Sequence, residues 1–135
     1  MPTTTGASHL ALTVTDMNAS AAWYQRVFGW VVLRRLTAEE AGSPRVLLLD
    51  PSSFFVLGLC QPDDRTGAAF NHRVTGLDHF ALSVPSDEEL GAWAAQLETV
   101  GVATSPVREV PGLGRFISLE DPDGIQIELW VNATG

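Results

Sequence analysis

Large apolar and small or polar residues alternate through His9-Leu10-Ala11-Leu12-Thr13-Val14, and the alternation returns seventy residues later as His79-Phe80-Ala81-Leu82-Ser83-Val84. A period of two predicts a strand in each place. Leu10, Leu12 and Val14, like Phe80, Leu82 and Val84, form one face. The other face keeps only a histidine, an alanine and a hydroxyl, which leaves room beside it for a bound group. After each strand the period changes to that of a helix. Asp16 is placed to cap a helix running to about Phe28, with Trp23, Val27 and Ala19 inward and Gly29 as its stop. Ser86-Asp87-Glu88-Glu89 has capping-box spacing and opens a second helix through Leu90, Trp93, Ala94 and Leu97 to Gly101. Trp23 and Trp93 are expected in the core.

Three strands follow each helix. In the first copy they cover 30–36, 45–49 and 54–59, with a polar loop over 37–44 and the turn Asp50-Pro51-Ser52-Ser53. In the second they lie around 102–110, 115–120 and 125–131, with the turn Asp121-Pro122-Asp123-Gly124. The repeat pairs His9 with His79, Trp23 with Trp93, Arg45 with Arg115 and Leu59 with Leu129. The expected fold is therefore α+β: two tandem βαβββ modules forming an open, curved mixed sheet. One domain is expected over residues 1–135, with module 1 at about 8–60, a polar linker at 61–77 and module 2 at about 78–131.

Composition narrows the partners. The 135 residues are 45% hydrophobic, without an apolar run near membrane-spanning length or a secretory start, so a soluble, cytoplasmic chain is expected. The single Cys60 excludes an internal disulfide. The net charge is −8 and all eight basic residues are arginine, a balance that argues against nucleic acid and membrane partners. Absence of lysine removes Schiff-base chemistry.

On the last strand Gln126, Glu128 and Trp130 share one face, while Ile125, Ile127, Leu129 and Val131 share the other. A carboxylate in so apolar a strand needs a partner if its face is buried, and a metal ion would supply one. His9, His79 and Glu128 make a 2-His-1-carboxylate set with open positions for substrate or dioxygen, compatible with Fe(II), Zn, Mn, Co or Ni. Glu128 is also the catalytic candidate. Seventy residues before Glu128 stands Gly58, which has no side chain to offer, so three protein ligands are expected; Cys60, of the same strand parity, is the alternative fourth donor. Gly58, Cys60, Arg115, Gln126 and Trp130 are the candidate substrate-pocket residues. Arg45 and Arg115 are candidates for an anionic substrate group, and His72 for an acid–base role.

These segments resemble the vicinal oxygen chelate superfamily, which includes glyoxalase I, extradiol dioxygenases, methylmalonyl-CoA epimerases, fosfomycin-resistance thiol transferases and bleomycin-binding proteins. The resemblance rests on four stretches. They are His9 to Val14 with Asp16 after it, Trp23-Tyr24-Gln25-Arg26-Val27-Phe28-Gly29-Trp30, Gly76-Leu77-Asp78 leading into His79 to Val84, and Asp121-Pro122-Asp123-Gly124 leading into Ile125 to Leu129. It implies paired βαβββ modules around one divalent ion, Fe(II) first, with His9, His79 and Glu128 as ligands and Gly58 at the family's fourth position. It implies a small-molecule substrate held through adjacent oxygens. The three-ligand set is similar to that of extradiol dioxygenases and fosfomycin transferases, and the latter also use a lysine that is missing here. For the second-sphere His and Tyr of extradiol enzymes the only candidates are His72, in the linker, and Tyr24, on the first helix, and neither stands at a matching place. The expected activity is dioxygenase-like, with a glyoxalase-like lyase or isomerase, or a metal-free antibiotic- or metabolite-binding protein, as alternatives. Edge strands on such a sheet call for cover, and a homodimer is expected, with the modules packed within one chain or exchanged between two.

Overall fold

The computed structural model of the chain describes residues 1–63, 65 and 67–133. The chain divides into two compact units, Met1–Ala68 and Ala69–Gly135. Asp64 and Thr66 of the expected linker lie outside the described residues.

In the first unit the order is β1 (Leu10–Thr13), α1 (Met17–Phe28), β2 (Val31–Leu36), α2 (Ala38–Ala41), β3 (Arg45–Leu49) and β4 (Val56–Cys60). In the second it is β5 (His79–Ser83), α3 (Asp87–Thr99), β6 (Arg108–Val110), β7 (Gly114–Glu120) and β8 (Gln126–Asn132). Among the described residues each unit has one four-stranded sheet, ordered β1-β4-β3-β2 and β5-β8-β7-β6. The first strand of each runs parallel to the last, and the remaining pairs are antiparallel. A parallel first and last strand puts the histidine strand beside the Glu128 strand, or beside Gly58 in the other copy.

The helices form as their caps dictate. The Asp16 carboxylate accepts from the Ala19 amide at 3.0 Å, and Gly29, at φ 72°, turns the chain out of α1. Ser20, Ala21, Tyr24 and Val27 are the buried residues of α1, a stripe at helical spacing. This corrects the expected face by one position: Ala19 is exposed and Trp23 only half-buried, as is Trp93 on α3, where Leu90 and Leu97 are buried. The expected polar loop after β2 contains α2, held by a reciprocal capping box between Thr37 and Glu40. The Thr37 amide, together with Arg34 at 2.6 Å, holds the Glu40 carboxyl below its usual range. The strand expected around 102–110 shrinks to three residues because Pro106 interrupts it. Ser105 still ties that segment to β7: its amide donates to the Ser118 carbonyl and its hydroxyl accepts from the Ser118 amide, both at 2.9 Å.

The face of each sheet toward its helix is the core, with Val46, Leu48, Leu57 and Leu59 in one unit and Ile117, Leu119, Ile127 and Leu129 in the other. The other face carries the small and polar positions expected from the alternation.

The repeat changes register at one turn. β4 and β8 match at an offset of seventy, but Arg45 opposes Cys60 whereas Phe116 opposes Trp130, so β3 and β7 match at seventy-one. The extra residue lies in the turn between Asp50 and Phe55. Asp121 and Asp50 stand at equivalent ends of their turns, and Phe54, at φ 63°, occupies the left-handed position that Gly124, at φ 80°, fills in the second copy. A side chain there costs about 1 kcal/mol or more relative to glycine. Phe54 is 75% exposed and repays little of that by burial. Phe54→Gly is therefore expected to raise the melting temperature by several degrees, roughly what ~1 kcal/mol gives a domain of this size; an unchanged or lower value in a thermal melt would refute the strain.

Candidate metal and substrate site

In the second unit the parallel pairing of β5 with β8 sets His79 opposite Gln126, Ala81 opposite Glu128 and Ser83 opposite Trp130. Since Ala81 is small, the imidazole of His79 and the carboxylate of Glu128 can approach across it. His79 Nε2 lies 3.2 Å from Glu128 Oε1. The other ring nitrogen, Nδ1, is 2.7 Å from Asp78 Oδ1 and donates its proton there, since a carboxylate can only accept. That hydrogen bond outweighs the opposing effect of desolvation and holds the Asp78 carboxyl below its usual range.

Glu128 is 6% exposed. Its Oε1 accepts from Trp130 Nε1 at 2.8 Å and its Oε2 from Gln126 Nε2 at 2.7 Å, so residues two before and two after it on the same strand face orient the carboxylate. Trp130 in turn stacks on Phe116, with ring centroids 4.5 Å apart and planes 11° from parallel. A cavity of about 360 Å³ opens beside them, walled by His79, Ala81, Leu113, Glu128, Trp130 and Asn132 among others.

The donor set fits a cation. With Nδ1 protonated toward Asp78, a neutral His79 turns the lone pair of Nε2 toward a carboxylate oxygen 3.2 Å away, and two lone pairs at that distance need a proton or a positive ion between them. Two donors each ~2.1 Å from one ion and ~100° apart around it would have this separation, within reach of tetrahedral or octahedral geometry. A carboxylate behind the ring, as Asp78 is, is the usual orienting partner of a metal-bound histidine.

In the first unit a serine hydroxyl takes the place of that carboxylate beside His9. Its Nδ1 is 3.0 Å from the Ser8 hydroxyl, at the place in the repeat where Asp78 precedes His79. A cavity of about 310 Å³ adjoins it, lined by Ser8, His9, Leu36, Arg45, Leu47 and Val56 among others. Gly58 also borders it, opposite Ala11 on β1 and Leu47 on β3. A Cβ at position 58 would sit 3.3 Å from Leu47 Cδ2 and 3.4 Å from Ala11 Cβ, so a fourth-ligand side chain could project from there only if Leu47 gave way slightly. Cys60 is buried, opposite Thr13 and Arg45 in the ladder. Among the described residues no group of three or more His, Cys, Asp or Glu side chains is gathered to hold an ion. His79 and Glu128 meet in the second unit, and His9 stands in the first.

One expectation is corrected. Arg115 opposes Val131, so it lies on the helix-facing side of β7, opposite to Glu128, and pairs with Asp87 of α3 at 3.6 Å. It does not line the cavity beside Glu128, and Phe116 is the repeat partner of Arg45. Tyr24 is fully buried among aromatic rings, stacked on Trp30 at 5.5 Å, which places it in the core and not beside a ligand. Gln126 and Trp130 do flank Glu128. His72 is exposed, 3.8 Å from Asp78 Oδ2. The contacts of Ser8 and Asp78 had a signal in the sequence: each directly precedes its histidine at the same place in the repeat.

Comparison with known proteins places this architecture. Residues 6–129 match the Glyoxalase/Bleomycin resistance protein/Dioxygenase superfamily. The chain belongs to that superfamily. Among curated relatives, this superfamily member is 31% identical over 123 residues to the uncharacterized protein YwkD of Bacillus subtilis, covering 90% of this chain and 93% of that one. It is 30% identical over 127 residues to catechol-2,3-dioxygenase of the same organism, covering 90% of this chain but only 39% of the dioxygenase. Among solved structures, a glyoxylase/bleomycin resistance protein/dioxygenase domain from Frankia sp. EAN1pec superposes with a TM-score of 0.84 at 27% identity, over 97% of this chain and 100% of that one. The α+β architecture of two βαβββ modules is thus that of the superfamily. No helix among the described residues is long and apolar enough to cross a membrane.

Proposed function

We propose that this superfamily member is a divalent-metal-dependent small-molecule enzyme in which His9, His79 and Glu128 hold the ion, and that its reaction is of the non-haem dioxygenase kind. The observation that carries the reading is the His79–Glu128 pair: a buried carboxylate oriented by Gln126 and Trp130, 3.2 Å from an imidazole nitrogen whose opposite edge is committed to Asp78. When bound, a divalent ion there would polarise or help deprotonate a substrate coordinated through two adjacent oxygens, and as Fe(II) it would also admit dioxygen. The protein's own contribution is orientation and shape. Gly58 leaves the fourth protein position empty, which keeps coordination sites for substrate. Trp130, stiffened by Phe116, offers a flat surface beside the carboxylate suited to a planar ring. The likeness to a catechol-2,3-dioxygenase supports aromatic diols as the substrate class.

The test is oxygen uptake by the Fe(II)-loaded protein with a panel of catechols, run together with metal analysis of protein purified without added metal. Uptake that depends on both iron and catechol supports the dioxygenase. A retained ion with no oxygen uptake points to a lyase or isomerase instead. Absence of divalent ion, together with ligand binding that survives chelation, would replace both by a sequestering protein. A homodimer belongs to the same proposal: the edge strand β2 exposes Val31, Val32 and Leu33, an apolar row that a second copy would cover.

A further inference from the structure

Arg45 begins β3 on the same sheet face as Leu47 and Gly58, and it borders the first unit's cavity together with His9, Leu36 and Val56. Its Nε–H is buried and, among the described residues, has no hydrogen-bond acceptor. A guanidinium keeps its charge at any physiological pH, so it cannot escape that environment by losing a proton. A buried donor with nothing to receive it costs stability, and more so when the group is charged. Ser8 and His9 are the other polar residues of the lining, and Ala11, Leu36, Leu47 and Val56 give the rest of it a hydrocarbon surface. Such a cavity wants a ligand with an anionic end and an apolar body.

We infer that this cavity is a carboxylate-binding subsite in which Arg45 receives the carboxylate and the aliphatic walls receive the rest of a small organic acid. Arginine presents its N–H groups as a planar fork that matches a carboxylate in a way a lone ammonium does not. A single monoanion is favoured over phosphate or polyanions, because one guanidinium faces the ligand while the chain as a whole carries −8. The volume of about 310 Å³ is at the small end for ligand pockets and suits a compact acid. Under the functional reading above, this subsite would make the substrate an acid, an aromatic one for preference. The carboxylate site itself does not depend on the metal.

The probe is benzoate, titrated by calorimetry or by protein-observed NMR against chain stripped of metal and dialysed free of chelator, with benzamide as the uncharged molecule of the same shape. Benzoate is expected to bind with a Kd on the order of 1 mM, and benzamide at least tenfold more weakly, the least that loss of one charged hydrogen bond gives. Arg45→Gln is expected to abolish the preference for benzoate, with Arg45→Met as the second variant should the first not fold. Equal binding of the two probes, no benzoate binding in the millimolar range, or a preference that survives in the folded variant would overturn the assignment. Since no metal is present, a negative result bears on Arg45 and leaves the His79–Glu128 reading untouched, and loss of oxygen uptake with benzoate binding intact would do the reverse.

Discussion

Glu128→Gln is expected to leave a folded protein that no longer retains a divalent ion. The exchange keeps the volume of a side chain that is 6% exposed, and its amide oxygen can still accept from either Trp130 or Gln126. What it removes is the negative charge on which a cation between Glu128 and His79 would depend. Loss of an outer partner of a metal ligand typically costs ~10–100-fold in affinity; that is the expectation for Asp78→Asn, which keeps His79 but weakens the acceptor behind it. Loss of the carboxylate ligand should exceed it. The readout need not be catalysis. At a free-ion concentration one hundred times Kd, mass action adds about 2.7 kcal/mol to the stability of the wild-type chain, or roughly 10 °C in melting temperature for a domain of this length. Glu128→Gln should show little of that rise with Mn(II) or Zn(II), and His79→Asn should behave the same way. His9→Asn is the informative third variant. If it also loses the rise, the ion is shared by both copies of the repeat; if it keeps the full rise, His9 is not a ligand and the three-ligand proposal fails.

The features that made the fold legible were those written locally and twice. Alternation through His9 to Val14 and His79 to Val84, the cap residues Asp16 and Ser86, and the stop at Gly29 each act within a few residues of themselves, and each forms as its chemistry requires. Face assignments on β8 followed for the same reason: strand parity alone puts Gln126, Glu128 and Trp130 together. What failed depended on register between strands, which spacing along one strand does not encode. Arg45 and Arg115 are seventy residues apart and look equivalent, yet the longer first turn shifts β3 by one position, and a shift of one carries a strand side chain to the opposite face. Arg45 consequently borders a cavity, while Arg115 reaches a helix carboxylate. The inward face of α1 lies one residue from the one its spacing suggests because two aromatics adjoin, and burial goes to Tyr24, which stacks on Trp30, in place of Trp23.

The corresponding turn of the second unit gives the larger stability effect. Asp121→Ala is expected to lower stability by about 3 kcal/mol, because the one oxygen Oδ1 accepts from two backbone amides, Asp123 at 2.9 Å and Ile125 at 3.0 Å, and hydrogen bonds to a charged acceptor at buried sites are worth roughly 1.5–3 kcal/mol. Asp121 is 5% exposed and Ile125 2%, so water cannot readily replace the lost acceptor. The change corresponds to a fall of roughly 10 °C in melting temperature. Because both bonds go to a single oxygen, Asp121→Asn retains an acceptor at that point and should recover most of the loss; an Asn variant as unstable as the Ala variant would show that charge, not geometry, holds the turn. Asp50 provides the internal control. Burial raises its pKa, but hydrogen bonds from the Ser52 hydroxyl and amide and from Ser53 outweigh this and leave the carboxyl below its usual range. A carboxyl depressed in the folded state contributes stability above its unfolded pKa and loses it as pH falls through the folded value. Its partners are largely side-chain hydroxyls in a more open turn, which water can substitute, so Asp50→Ala should cost only about 1 kcal/mol. The order Asp121→Ala well below Asp50→Ala in a thermal melt at neutral pH follows from which turn delivers the strand that carries Glu128: Asp121 fixes the chain at Ile125, one residue before β8 begins, so the strength of that anchor bears directly on where the carboxylate comes to rest.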